Sequence, residues 1–197
     1  MASFLGARGY DRQAYASEPG QEAAFVLSEM RLAPGDTVAD VGCGSGRHLP
    51  YWREAGMRPI GLDVAAGFRP EVVADAANLP LRDGAVAAVV ALGGIGGYVA
   101  LDPLLVELSR VARTVVVLAT FSLPFARRHM GIEGTRVDEI VHARDAEGQW
   151  GEFTHGHECH MPGDLPGEVY SIEPGRFARR DPSDEFPELL SVWRIGS

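Results

Sequence analysis

The sequence predicts an α/β fold: a parallel sheet with helices packed on it. Three observations predict it. Apolar runs of strand length alternate with helix-like segments through the first 120 residues. Those runs are Val-, Leu- and Ala-rich and lack polar alternation, as strands covered on both faces require. A glycine-rich turn at 42–46 joins the first run to a helix.

In chain order, residues 10–15 read as an ordered lead-in. Residues 21–32 read as a helix, because Ala23, Val26, Leu27 and Met30 make one apolar face and Pro34–Gly35 stops it. Residues 37–41 are the first strand, 42–46 the turn and 47–55 the helix it feeds. The second strand, 59–63, ends in Asp63. A short third strand, 71–74, ends at Asp75. Residues 86–92 form a wholly apolar fourth strand, 103–112 a helix and 114–120 a fifth strand. From Gly131 onward the chain is richer in Gly, Pro, His and charge. Residues 151–161 and 189–195 read as strands there, with a helix between them weakened by Pro162, Pro166 and Pro174.

The chain has 197 residues, which predicts one domain able to bury a sizeable core. Its formal charge is −9, and all 18 basic residues are arginine. An acidic chain without a basic run is poorly suited to gripping a phosphate backbone, so no nucleic-acid partner is expected. Two cysteines, Cys43 and Cys159, make no disulfide framework. The N-terminal segment carries early charges and no long apolar stretch, unlike a signal peptide. The uncharged stretch 85–101 is short for a membrane span and is interrupted by Gly93, Gly94, Gly96 and Gly97. A cytoplasmic protein with no membrane partner is the expectation.

The chemistry concentrates in three places. The first is Val38-Ala39-Asp40-Val41-Gly42-Cys43-Gly44-Ser45-Gly46. Alternating glycines let the backbone turn tightly and approach a ligand, and the following helix offers free N–H groups. A phosphate site wants donors and a positive dipole alone. The acid Asp40 fits a ligand that carries a cationic group, such as the ammonium and sulfonium of S-adenosylmethionine. The second is Gly61-Leu62-Asp63, where a strand-end acid can accept from both ribose hydroxyls, 17 residues after Gly46. The third is Asp75-Ala76-Ala77-Asn78-Leu79-Pro80-Leu81. There a carboxylate can accept from an adenine amino group, and the next N–H can donate to the ring. A nicotinamide fingerprint would need Gly-x-Gly-x-x-Gly, and here the third glycine comes one residue early.

In this order and spacing the three motifs, VADVGCGSG, GLD and DAANLPL, resemble the class I S-adenosylmethionine-dependent methyltransferase family. The resemblance runs from about Tyr10 to Thr120. It implies a Rossmann-like, seven-stranded, mostly parallel sheet with helices on both faces and the last strand antiparallel. It implies a cofactor-binding half over 1–120 and a substrate-side half over 121–197. Asp40, Gly42, Gly44 and Gly46 would surround the methionine moiety, Asp63 the ribose, and Asp75 with Ala76 the adenine. Leu92 and Gly93 would lie beside the methyl group, and Tyr15 of the N-terminal segment would seal the site. Three departures stand out. Residues 65–70 leave room for one helical turn at most between the second and third strands. Ala87 stands near the usual acid of the fourth strand. Arg113-Thr114 replaces a Pro-Gly-Gly turn.

The expected reaction is methyl transfer to a small molecule, at oxygen ahead of nitrogen or carbon. Leu92-Gly93-Gly94-Ile95 follows the fourth strand where DNA and glutamine amino-methylating enzymes carry Asn/Asp-Pro-Pro-Tyr/Phe. A general base is needed where the acceptor must lose a proton, and histidine suits that near neutral pH. His155 and His157, two apart on a predicted strand, are the candidates, with His129 behind them. With His160, Glu158 and Cys159 they could also hold zinc, but a polar cleft-lining strand accounts for the same residues, and no metal is assigned. Two alternatives keep the fold: a cofactor-binding enzyme that catalyses a rearrangement, and a non-catalytic scaffold. Oligomeric state is not legible.

Overall fold

A computed structural model describes residues 19–144, 150–173, 176–179 and 188–196. In chain order the elements are α1 (Pro19–Met30), β1 (Thr37–Val41), α2 (Leu49–Glu54), β2 (Arg58–Asp63), β3 (Val72–Val73) and β4 (Val86–Ala91). They continue with α3 (Leu101–Val111), β5 (Ala112–Ser122), α4 (Leu123–Met130), β6 (Arg136–Arg144) and β7 (Trp150–His160). The chain then adds β8 (Glu168–Glu173), β9 (Arg176–Arg179) and β10 (Glu188–Arg194). Among the described residues, no helix is long and apolar enough to cross a membrane.

Strands β3-β2-β1-β4-β5 run parallel in that order. β10 lies antiparallel between β5 and β8, so β8 runs the same way as β5. These seven strands make the expected mostly parallel sheet with an antiparallel last strand. β9 extends it beyond β8. β6 and β7 form a separate antiparallel hairpin. Among the described residues it joins the sheet where Phe121 and Ser122 of β5 meet Cys159 and His160 of β7.

The apolar runs explain this layering. Val86-Ala-Ala-Val-Val-Ala91 is buried along its whole length, as a central strand must be. One core joins Ala23, Val26 and Met30 of α1 and Trp52 of α2 to Val38, Ala88, Val90, Val117 and Leu190. The other face packs Leu104, Leu108 and Val111 of α3 on Ala39, Val89, Val116 and Leu189. A small third cluster, Leu123, Ala126, Val137 and Cys159, seats α4 on the hairpin. Between β2 and β3 the chain makes only a 3₁₀ turn, Ala66–Phe68, as the short spacing predicts. Among the described residues, the weak helix expected between the last two predicted strands does not form. Its prolines leave a 3₁₀ turn, Pro162–Asp164, and then β8.

Candidate active site

The three motifs meet at one end of the sheet. The glycine turn follows β1, Asp63 ends β2, Asp75 lies just past β3, and Leu92 and Gly93 follow β4. All are carboxyl ends of parallel strands. The strand order reverses between β1 and β4, the place where open α/β sheets hold ligands.

Gly42, Gly44 and Gly46 all have positive φ, +71°, +54° and +79°. A Cβ on Gly44 would meet nothing within 4 Å, so the turn is open on that side. A Cβ on Gly42 would strike Ile95, which crosses the turn from the loop after β4. Below the turn the acids are already engaged. Asp40 is 2% exposed, and its Oδ2 accepts from the Trp52 indole N–H at 3.0 Å. Burial raises the Asp40 carboxyl above its ordinary range, against the pull of His48 and Trp52. Asp40 therefore anchors α2 beneath the turn, and any effect it has on a ligand acts from behind the backbone. Next to it, buried Glu22 of α1 accepts from Arg47 at 3.1 Å and lies 2.9 Å from His48 Nε2. This clasp ties α1 to the residues just after the turn. Burial, with the neighbouring acids Asp40, Asp63 and Glu71, pushes the Cys43 thiol up to about 12, so it stays protonated and unreactive.

Asp63 is half-buried. Its Oδ2 accepts from the Gly44 N–H and its Oδ1 from the Ala65 N–H, both at 2.8 Å. Each oxygen keeps a further lone pair for a ligand hydroxyl. The missing helix after β2 is compensated by Glu71, which accepts from the Gly61 N–H at 2.9 Å and pairs with Arg53 at 3.1 Å. Asp75 is exposed and closes a turn by accepting from the Ala77 N–H at 2.9 Å; Ala76 is buried. Glu107 and Arg110 of α3 hold the segment that follows.

Leu92 is buried, and Gly93 and Gly94 both adopt left-handed φ, +70° and +73°. A Cβ on Gly94 would lie 2.5 Å from the Phe121 ring, so the loop after β4 rests directly on Phe121. His157 is brought to the same place. It is 6% exposed, with its ring 3.8 Å from that of Phe121 and 6.2 Å from Tyr98. His160 Nε2 lies 2.9 Å from the Gly96 carbonyl oxygen, fixing the end of β7 against this loop. His155 occupies the β7 position paired with Glu139. Tyr15 lies outside the described residues. Among the described residues, no group of three His, Cys, Asp or Glu is arranged to hold a metal ion. Cys159 packs in the α4 cluster, while Glu158 accepts from Thr135 and faces Arg136.

Sequence reasoning missed the Trp52–Asp40 bond, the Glu22 clasp and the α3 clamp. Glu107 and Arg110 stand i,i+3 on a predicted helix, a visible signal of a pair. Nothing local points to their partners near Leu79.

The sheet order is the mostly parallel, Rossmann-like one expected from the resemblance, with an antiparallel last strand. Residues 39–119 match the family described as a methyltransferase domain, and in this segment the chain is similar to that family. It is 32% identical over 124 residues to a malonyl-[acyl-carrier protein] O-methyltransferase of Pectobacterium atrosepticum, an alignment covering 58% of this chain. The chain spans about half, 48%, of the length of that relative. An S-adenosylmethionine-dependent methyltransferase from Clostridium acetobutylicum superposes with a TM-score of 0.70, at 12% identity over 91% of this chain and 92% of that one. The CcbJ methyltransferase of Streptomyces caelestis gives 0.69, at 14% identity over 100% of both chains. At these identities the likeness is one of fold.

Proposed function

We propose that the chain is an S-adenosylmethionine-dependent methyltransferase acting on a small-molecule acceptor, with oxygen as the favoured acceptor atom. One observation supports this reading: the glycine turn, open beside Gly44, and the acids Asp63 and Asp75 lie at the same, carboxyl end of the parallel strands. The donor set fits the cofactor. Asp63 retains acceptor capacity for two ribose hydroxyls. Asp75 offers a carboxylate, and Ala76 a main-chain N–H, for the adenine edge. The turn at 42–46 offers close approach and the N–H groups of the helix it feeds. Asp40 lies buried behind it, bonded to Trp52. Bound there, the cofactor would supply an activated methyl group.

The chain's own part is to hold the acceptor in line and to exclude water, which accounts for much of such a rate enhancement. Leu92 and Gly93 shape the wall beside the transferring group. His157, beside Phe121 and the loop after β4, with His155 two residues away on β7, is the candidate to take the acceptor's proton. An oxygen acceptor needs that step, which favours the oxygen reading. The named relative also methylates oxygen, and its shared segment supports this choice. The acidic charge of the chain supports a small-molecule acceptor over nucleic acid.

Calorimetry with S-adenosylmethionine and S-adenosylhomocysteine tests the cofactor site; micromolar binding of both is expected. Absence of binding by either would favour the scaffold. Stoichiometric release of S-adenosylhomocysteine with an acceptor separates methyl transfer from rearrangement chemistry.

A further inference from the structure

We infer that Glu107 and Arg110 of α3 are positioning residues for adenine recognition, fixing the turn at 75–78 from behind without touching the cofactor. The inference rests on the cofactor reading above.

Before the turn, one main-chain bond, from the Ala74 N–H to the Asp63 carbonyl at 3.0 Å, ties the chain to β2. The turn's own hydrogen bonds are local: the Asp75 carbonyl accepts from the Asn78 N–H at 3.0 Å, and the Asp75 carboxylate from the Ala77 N–H. The strand before it, β3, has two residues and pairs with β2 alone. Between β2 and β3 the chain makes a 3₁₀ turn and no α-helix. On the far side of the turn, α3 holds the chain firmly. The Leu79 N–H donates to Glu107 Oε1 at 2.7 Å. Arg110 Nη2 donates to the Leu79 carbonyl at 3.2 Å, and Nη1 to the Leu81 carbonyl at 2.8 Å. Nη1 also reaches Asp83 at 2.7 Å. Glu107 in turn holds the guanidinium in place, accepting from Nε at 2.8 Å and Nη2 at 2.6 Å.

One planar fork thus addresses three acceptors of a single segment, which a lysine cannot do. The guanidinium holds the Glu107 carboxyl below its usual range, so the pair remains ionised. Ala76 and Leu79 pack in the same core as Leu104 and Leu108 of α3, so clamp and turn are mechanically one unit. Adenine readout needs the Asp75 carboxylate and the Ala76 N–H held to a few tenths of an ångström. The clamp supplies that register. The ribose and methionine contacts come from β1 and β2 and do not depend on it.

The test is selectivity. Calorimetry would compare S-adenosylhomocysteine with its analogue lacking the 6-amino group, in the wild type and in Arg110→Gln and Glu107→Gln. The wild type is expected to prefer the amino form by about 10–100-fold, the size of one hydrogen bond to a charged group. Both variants are expected to bind the two ligands within about threefold, with affinity for the analogue little changed. Arg110→Lys keeps the charge without the fork and should fall between; should Arg110→Gln not fold, this variant decides. Selectivity undiminished in the variants would overturn the inference, as would a wild type that binds both ligands equally. A wild type that binds neither would instead overturn the cofactor reading.

Discussion

Asp63 is engaged by two main-chain N–H groups, those of Gly44 and Ala65, in the unliganded fold. These two bonds fix its carboxylate at the end of β2, between the glycine turn and the chain that follows the strand. Asp63→Ala should weaken S-adenosylhomocysteine binding by about 10–150-fold, as loss of 1.5–3 kcal/mol implies; unchanged affinity in calorimetry would place the ribose elsewhere. His157→Gln should leave cofactor affinity unchanged and slow methyl transfer by about 10²–10⁴-fold. Full turnover in that variant would take the base role from it. Their places, Asp63 at the end of β2 and His157 on β7, were legible because both strands show as local patterns. The Asp40–Trp52 bond was not, because it depends on how α2 is seated and not on the spacing between the two residues.

At the scale of elements, the loop after β4 is the tightest junction. Gly94 combines a φ of +73° with a Cβ position 2.5 Å from Phe121. Gly94→Ala should therefore destabilise the fold by about 1–3 kcal/mol, read as a lower denaturant midpoint with unchanged slope. A neutral result would mean that Phe121 and the loop repack freely. The five parallel strands were readable because buried parallel strands are continuous apolar runs. α4 carried signals that went unread: Ser122 caps it by accepting from the Phe125 N–H, Pro124 opens it, and Gly131 at φ +69° ends it. Its eight residues are too few for an apolar period to stand out. β6 went unread because it pairs only with β7, so its place is set by a hairpin and not by a sequence run.

Across the whole molecule, the five parallel strands and α1 to α3 lie within residues 19–122, and their outline was visible in the sequence. The remainder forms the antiparallel edge and the hairpin, where long-range pairing decides structure. One residue of that edge links the two parts. Glu188 begins β10, and burial, with nearby Glu22 and against Arg47, raises its carboxyl from 4.5 to about 7. The folded chain then holds a proton that the unfolded chain releases above 4.5. Stability should fall as pH rises from about 4.5 to 7, with the loss complete above that. Glu188→Gln should remove this slope, raising Tm at pH 8 and leaving it unchanged at pH 4. A Tm gain of equal size at both pH values would assign the effect to packing instead.

The bond from the Gly44 N–H to Asp63 spans two neighbouring strand ends, and it makes that amide a reporter. Its hydrogen should exchange slowly with deuterated solvent while the turn stays closed, and a charged acceptor should move its proton resonance downfield. A ligand drawing on the same carboxylate must alter that bond. Occupancy of the crevice could then be followed at one backbone position, with no label on the ligand and no turnover required.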